Sequence, residues 1–403
     1  MIGWLEILIA VLIAVEILFT IQVYCNYHYA LKKYHRKRTF RPQCVLIVPC
    51  KGLDEAFEAN IRSFFEQAYK DYRLWFVVAD KEDPAYAHLQ RLIASCRDRS
   101  SAKEVKIWVA GATTGCSQKL HNLLFAYRQT TDEIEALVFA DSDACTEPDW
   151  LLRLVAPLRK AHIGLASGYR WFVPQTNNLA TLALSAINAK VCQLLGNTRF
   201  NPAWGGSMAV RRADFVRLDI EHIWQKSLSD DLSLSRAIRK AGLRTRFVPA
   251  CMIASYESMT WRRLWEFARR QFIITRVYAF RLWLFGLGGA MLSVVGLWGG
   301  LALAVWGLAA RPRFWVEYVA VGVVFLGCQI FRAVVRQRLA VRLLPAEKDA
   351  MRAAKRADWL GFWAWGILLL AVILSSAVGR TIRWRGIRYR INGRTRIEIL
   401  DTP

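Results

Sequence analysis

Two acid clusters carry the clearest chemical capacity in the chain. Asp141-Ser142-Asp143 follows the apolar stretch LVFA, and Ser229-Asp230-Asp231 precedes LSLSRAIRKAG. Carboxylates two apart, just past a buried strand, can turn toward one site. Hard oxygen ligands of that kind suit Mg²⁺ or Mn²⁺, which keep waters and bind substrate phosphates. A solvated Asp-rich turn has the same composition, so this motif alone leaves both readings open. In the second cluster, Ser and Asp favour helix starts, which gives one residue a capping role. Capping does not account for two adjacent acids, and one of them has the chemistry of a general base if it reaches the proton it removes. A third acid, Asp80, ends the apolar part of VVADKEDPA. It suits hydrogen bonds from a nucleotide base or ribose, although a lone acid there is more often a turn residue.

The elements that must position these acids are legible in outline. CVLIVP (44–49), RLWFVVAD (73–80), VKIWVAG (105–111) and EALVFADSD (135–143) read as strands. Segments 54–67, 84–98 and 118–130 have helical spacing between them, and a further helix runs from the Ser229 cluster to Gly242. Alternation of this kind predicts an α/β head with a mostly parallel sheet flanked by helices. Such sheets bind ligands beyond the carboxyl ends of their strands, where Asp80, Asp141 and Asp143 fall. Neither GxGxxG nor GxxxxGK[ST] occurs, which leaves a dinucleotide fingerprint or P-loop unsupported.

The 403 residues hold 56 Lys+Arg against 32 Asp+Glu, a net charge of +24, with 54% apolar residues. Disorder is excluded by that apolar content. Residues 2–24 are long enough to span a bilayer, which needs roughly 20 apolar residues. Glu6 and Glu16 interrupt the run, and no small-residue cleavage site marks it as a signal peptide. Lys32, Lys33, Arg36, Lys37, Arg38 and Arg41 follow, which places the head in the cytoplasm. Three more apolar runs, 283–310, 314–331 and 359–378, lie toward the C-terminus, the first two joined as a hairpin by Arg311-Pro312-Arg313. Between the second and third, Arg332, Arg336, Arg338, Arg342, Lys348, Arg352, Lys355 and Arg356 read as a cytoplasmic loop. A tail with seven Arg from Arg380 to Arg396 is expected on the same side. If all four runs crossed, the tail would emerge outside, so one of them is re-entrant or interfacial, or the tail is an exception to the charge rule. The expected organisation is an N-terminal span (1–30), a head (41–258), an amphipathic interfacial segment (259–282), C-terminal spans with a basic loop (283–378) and a basic tail (379–403). Nucleic acid is not an expected partner, since no zinc-finger spacing or RNA-binding signature is present. The nine Cys form no CxxC pair and read as reduced packing residues.

Taken in order, PCKGLD (49–54), ADKEDPA, GCSQKLHNL (115–123), FADSDA, WGGSMAVRR (204–212), SDDLSLSRAI and the tail RTIRWRGIRYRINGRTRIEIL resemble a membrane-attached family 2 glycosyltransferase with a GT-A head. The resemblance is closest to the ceramide glucosyltransferase branch, which also contains hopanoid glycosyltransferases. It implies nucleotide-sugar contacts at Pro49, Lys51, Asp80, Lys119 and Asp141, and a Mg²⁺ or Mn²⁺ ion on Asp141 and Asp143. It implies Asp231 as general base, with Asp230 where relatives often carry Glu. It also implies acceptor or diphosphate contacts at Gly206, Arg270 and Gln271. Relatives carry Arg or Gln, two residues, then Arg-Trp; here Ile273 and Ile274 stand at the Arg-Trp positions, and Arg276 is the candidate substitute for the charge. The implied reaction is inverting transfer from a UDP-sugar, with glucose expected, to a membrane lipid such as ceramide, giving a β-glycolipid. The alternatives are a hopanoid or diacylglycerol acceptor with UDP-N-acetylglucosamine or another UDP-sugar, a processive polysaccharide synthase, and a non-catalytic membrane protein. The implied location is a bacterial inner membrane or a Golgi-type membrane.

Overall fold

The computed structural model describes residues 4–35, 39–54, 56–96 and 100–401; Arg36, Lys37 and Arg38 of the expected basic cluster lie outside them. A long first helix, α1 (Trp4–Tyr34), leads into the head. There β1 (Cys44–Pro49), α2 (Phe57–Phe65), β2 (Arg73–Val78), α3 (Pro84–Cys96), β3 (Glu104–Val109), α4 (Gln118–Arg128) and β4 (Ala136–Ala140) alternate. Next come α5 (Trp150–Val155), β5 (Ile163–Pro174), α6 (Leu179–Cys192), β6 (Ser207–Arg211), α7 (Arg212–Arg217), α8 (Ile220–Trp224), α9 (Asp230–Lys240) and β7 (Arg244–Glu257).

These strands form one seven-stranded sheet in the order β3-β2-β1-β4-β6-β5-β7. The pairs β3–β2, β2–β1, β1–β4 and β5–β7 are parallel, and only β6 runs against its neighbours. The strands read as unbroken apolar runs because both faces are covered. Along β1, Leu46 and Val48 face Phe64 and Leu89, while Val45 and Ile47 face Leu120, Leu124 and Phe139. The chain steps outward from β1 to β2 and β3, then returns to the other side of β1 as β4. That reversal opens a crevice between the carboxyl ends of β1 and β4, the place where open α/β sheets bind ligands.

After the head, α10 (Trp261–Tyr278) runs amphipathically with Leu264, Ala268, Ile273, Ile274 and Tyr278 buried. The long helices α11 (Phe280–Ala310), α12 (Trp315–Leu343) and α13 (Arg352–Ser375) follow; together with α1 they are the four among the described residues long enough and apolar enough to cross a membrane. Contacts pair Ile9 with Phe325, Glu16 with Arg332 and Ala30 with Leu339, so α1 and α12 run parallel toward the head. The expected basic loop is mostly helix. Arg332, Arg336, Arg338 and Arg342 belong to α12, and Arg352, Lys355 and Arg356 begin α13. Arg332 and Arg336 are buried, so each is paired: Arg332 with Glu16 at 2.7 Å and Arg336 with Asp358 at 2.5 Å.

The basic tail is a folded sheet. Strands β8 (Thr381–Trp384), β9 (Ile387–Gly393) and β10 (Arg396–Asp401) form an antiparallel meander. Its apolar face, with Ile382, Ile387, Tyr389 and Ile391, packs on Leu228, Ile273, Ile274 and Tyr278. The two isoleucines at the Arg-Trp positions are thus the floor on which this sheet sits. Both ends of α13 touch the head side. Met351 and Ala354 pack with Trp171 and Val173, while Arg269 of α10 donates to the carbonyls of Ser375 (3.2 Å) and Val378 (2.9 Å).

Candidate active site

Four chain segments meet at the crevice. The end of β4 brings Asp141 and Asp143. Because β6 is antiparallel to β4, with Ala140 opposite Ser207, the preceding Trp204-Gly205-Gly206 turn arrives beside them. The first turns of α4 and α9 complete the site. Ser117 caps α4 by accepting the Leu120 amide, and Ser229 caps α9 by accepting the Leu232 amide. The two helix starts are tied together, since the Ser117 hydroxyl donates to the Leu228 carbonyl at 3.0 Å and its amide to the Ser227 carbonyl at 3.2 Å.

Lys119 sits in the first turn of α4, where a cation opposes the helix dipole. Two acids offset that cost: Lys119 Nζ lies 2.6 Å from Asp141 Oδ1 and 2.9 Å from Asp230 Oδ2. Burial works against the ammonium, but Asp141 and Asp230 outweigh it and hold its pKa above the ordinary lysine value. Asp230 is buried, and burial pushes its pKa up to about 6, with Asp231 and Asp141 adding and Lys119 opposing. For Asp141 burial pushes upward, yet Lys119 wins and keeps the carboxyl below its usual range. Asp143 goes the other way: burial and then Asp141 raise it, against a more distant Arg170 at 3.9 Å.

Asp231 is held by three donors. Its Oδ1 accepts the Ser229 hydroxyl at 2.5 Å and the Leu232 amide at 2.7 Å, and its Oδ2 accepts the Gly205 amide at 3.2 Å. Gly205 is needed for a second reason. A Cβ there would stand 2.3 Å from Asp230 Oδ2 and 2.8 Å from Lys119 Nζ. At Gly206, the residue expected from the sequence, a Cβ would meet the Trp204 ring at 2.2 Å. Gly206 therefore lets Trp204 fold back, while Gly205 is the one that lines the cavity.

Pro49, Lys51, Lys119, Asp141, Asp143, Asp230 and Asp231 share one cavity of about 1840 Å³ with Arg270 and Gln271. Two expected residues stand elsewhere. Asp80 is exposed beyond β2, its carboxylate accepting the Glu82 amide at 3.1 Å, and it is not on the cavity wall. Arg276 points away, donating to the carbonyls of Ala377 and Gly379 where α13 meets the tail, so it does not replace a charge at the site. Arg170 and Arg385, which the sequence did not single out, do line the cavity. Arg170 lies over the rings of Phe172, Trp204 and Phe267. Burial, with Arg170 and Arg385 close by, lowers the Arg270 pKa to about 10, the mark of a crowded cationic rim.

A divalent cation fits the acid pair. Asp143 Oδ1 is buried without a hydrogen-bond partner among the described residues, and the donors are hard oxygens. No group of three or more His, Cys, Asp or Glu ligands occurs among those residues, so substrate phosphates and water would have to complete the shell.

The family model of glycosyl transferase family 21 matches residues 7–397. The chain belongs to that family. The family number differs from the expected family 2, but the branch, that of the ceramide glucosyltransferases, is the one the motifs resembled. This glycosyltransferase therefore acts with a nucleotide-sugar donor and an acceptor. A solved structure that resembles it is the mannosyltransferase PcManGT from Pyrobaculum calidifontis, in complex with GDP-Man and Mn²⁺. The two are 17% identical, with 92% of this chain and 97% of that one covered and a TM-score of 0.47.

Proposed function

We propose that this glycosyltransferase moves a sugar, glucose in the first instance, from a UDP-sugar to a hydroxyl of a membrane lipid of the ceramide class, with inversion. The observation that carries the reading is the extent of the cavity. It runs from Asp141, Asp143 and Asp231 to Phe19, Phe285, Gly289, Leu369 and Ile373 on α1, α11 and α13. A drug-sized ligand needs roughly 300–1,000 Å³, and about 1840 Å³ leaves room for a nucleotide-sugar and the reacting end of a lipid together. A donor from water and an acceptor from the bilayer would meet where the acids stand.

In this reading Asp231 accepts the proton of the acceptor hydroxyl as its oxygen bonds to the anomeric carbon and the bond to the diphosphate breaks. The Ser229, Leu232 and Gly205 donors fix its carboxylate for that transfer. Lys119 holds Asp230 and Asp141 in register. Asp141 and Asp143 would hold Mg²⁺ or Mn²⁺, which supplies positive charge to the diphosphate. The nucleoside would extend past Pro49 and Lys51 toward the exposed Asp80. The head faces the cytoplasm, where Lys32, Lys33 and Arg41 flank it.

A second reading is an acceptor with several polar groups, such as a hopanoid polyol taking an N-acetylhexosamine; polar side chains on the cavity wall beside the apolar helices, Gln329 and Asn188 among them, favour it. Purified protein in lipid, given a panel of UDP-sugars and Mg²⁺ or Mn²⁺ with ceramide, diacylglycerol and a hopanoid polyol, separates the two by product mass. One hexose on ceramide is the expected result. No nucleotide release with any donor would contradict both readings.

A further inference from the structure

The C-terminal sheet brings to the cavity a charge that no strand end or helix start supplies. The turn between β8 and β9 has two residues, Arg385 and Gly386, both left-handed with φ of 47° and 87°. Trp384 pairs with Ile387 across it, the geometry of a tight hairpin. The hairpin is anchored at its base, where Ile382, Ile387 and Tyr389 pack on Ile273, Ile274 and Tyr278. It is anchored near the site as well, because the Tyr389 hydroxyl accepts the Gln118 amide at 3.3 Å and the Tyr278 hydroxyl accepts the Leu228 amide at 2.7 Å. Arg385 is thereby fixed relative to the helix starts that carry Lys119 and Asp231.

Its guanidinium meets Asp54 fork to fork, with both N–O distances 3.0 Å. The pair is partly open, with side chains 43% and 32% exposed, and it lines the cavity that contains Asp141 and Asp143. Exposed pairs of this kind contribute little to stability. A planar guanidinium with its fork on a cavity wall is matched to phosphate oxygens, and Asp54 presents the same two-oxygen shape that a phosphate would.

We propose that Arg385 is a ligand of the donor's diphosphate, exchanging Asp54 for phosphate oxygens when the nucleotide-sugar binds. The assignment rests on the donor reading above. It also explains the departure at α10: residues 273 and 274 are apolar because they seat the sheet that delivers the arginine. When the bond from the anomeric carbon to the diphosphate breaks, the electron pair stays on the departing phosphate oxygen, and Arg385 meets that charge without taking up a proton.

Calorimetric titration of the full-length protein with UDP and with uridine, in the presence of Mg²⁺, tests this. Arg385→Asn removes the charge while tolerating the left-handed backbone. It is expected to weaken UDP binding on the order of tenfold to a hundredfold, the worth of a charge-assisted hydrogen bond or two, and to leave uridine unchanged. Arg385→Lys should fall between, and Asp54→Asn should leave UDP binding equal or tighter. Equal losses of UDP affinity in Arg385→Asn and Asp54→Asn, equal losses for UDP and uridine, or no loss at all would overturn the proposal and leave Arg385 a clamp on the sheet. If the wild-type protein did not bind UDP, the donor reading itself would fall.

Discussion

Gly205 and Gly206 are adjacent and make room for different things. Gly206 accommodates the Trp204 ring, a packing matter, whereas Gly205 accommodates the Lys119–Asp230 pair and donates to Asp231. Gly205→Ala must therefore shift groups at the reacting centre, and a misplacement near 1 Å costs ~100-fold in rate. Steady-state kinetics on folded Gly205→Ala protein should show a loss of that order in kcat/KM. Lys119 is a structural matter as much as a chemical one. Lys119→Met leaves Asp141 and Asp230 without their shared cation; breaking a fully buried pair costs about 3–5 kcal/mol, and the partial exposure of Lys119 and Asp141, 14% and 25%, brings this to about 1–3 kcal/mol. Denaturant unfolding of the detergent-solubilised protein should register a loss of that size. At this scale Asp141, Asp143, Asp230 and Asp231 were legible as cavity residues, because paired carboxylates at a strand end and at a helix start have few roles, while Asp80, a single acid at a strand end, stands off the cavity. Gly205 was within reach, since WGGS offers two glycines and only contact geometry tells them apart. Arg170 was not, because an arginine inside a strand carries no local signal of what it faces.

Elements explain what motifs leave open. The first four strands of the head and helices α2, α3, α4 and α9 were legible from their periodicity, as in CVLIVP and RLWFVV, because buried parallel strands leave continuous apolar runs, whereas β5, β6 and β7 were not read as strands. The tail was read by its charge and its likeness to the family tail, not as strands, although Ile382, Ile387, Tyr389 and Ile391 alternate with arginines, the period of a half-buried strand. Its apolar half matches the apolar face of α10 at Ile273 and Ile274. Ile273→Arg buries a charge beneath the sheet and is expected to undock it. Limited trypsin digestion should then cut rapidly within residues 380–396, while the head of the same protein resists. Unchanged resistance of the tail would mean that the sheet is held by something other than this floor.

For the whole molecule the decisive feature is where the two ends of α13 are held. Helices α1, α11 and α12 have the lengths of crossings, and α1 and α12 point the same way. Both ends of α13 contact residues beside the head, and we propose on that ground that α13 lies against the bundle without carrying the tail across. Counting apolar runs could not settle this, because a helix lying against α6 and α11 has the same composition as one that spans. Single cysteines placed at Asn392 and at Pro312, probed with an impermeant thiol reagent in sealed vesicles, should label from opposite sides, with Asn392 on the side of the head. Labelling of both from one side would contradict that topology.

The shared cavity joins these scales, since in the proposed reading one residue, Asp231, acts on an acceptor hydroxyl that enters from the long apolar helices. Single-turnover transfer by Asp231→Asn, with UDP-sugar affinity measured on the same protein, tests this most directly. The expected result is donor binding within a factor of about two of wild type and a transfer rate lower by ~10²–10⁴-fold, the contribution of a positioned base. Transfer at the wild-type rate would show that the proton leaves by another route and that the site has been assigned to the wrong acid.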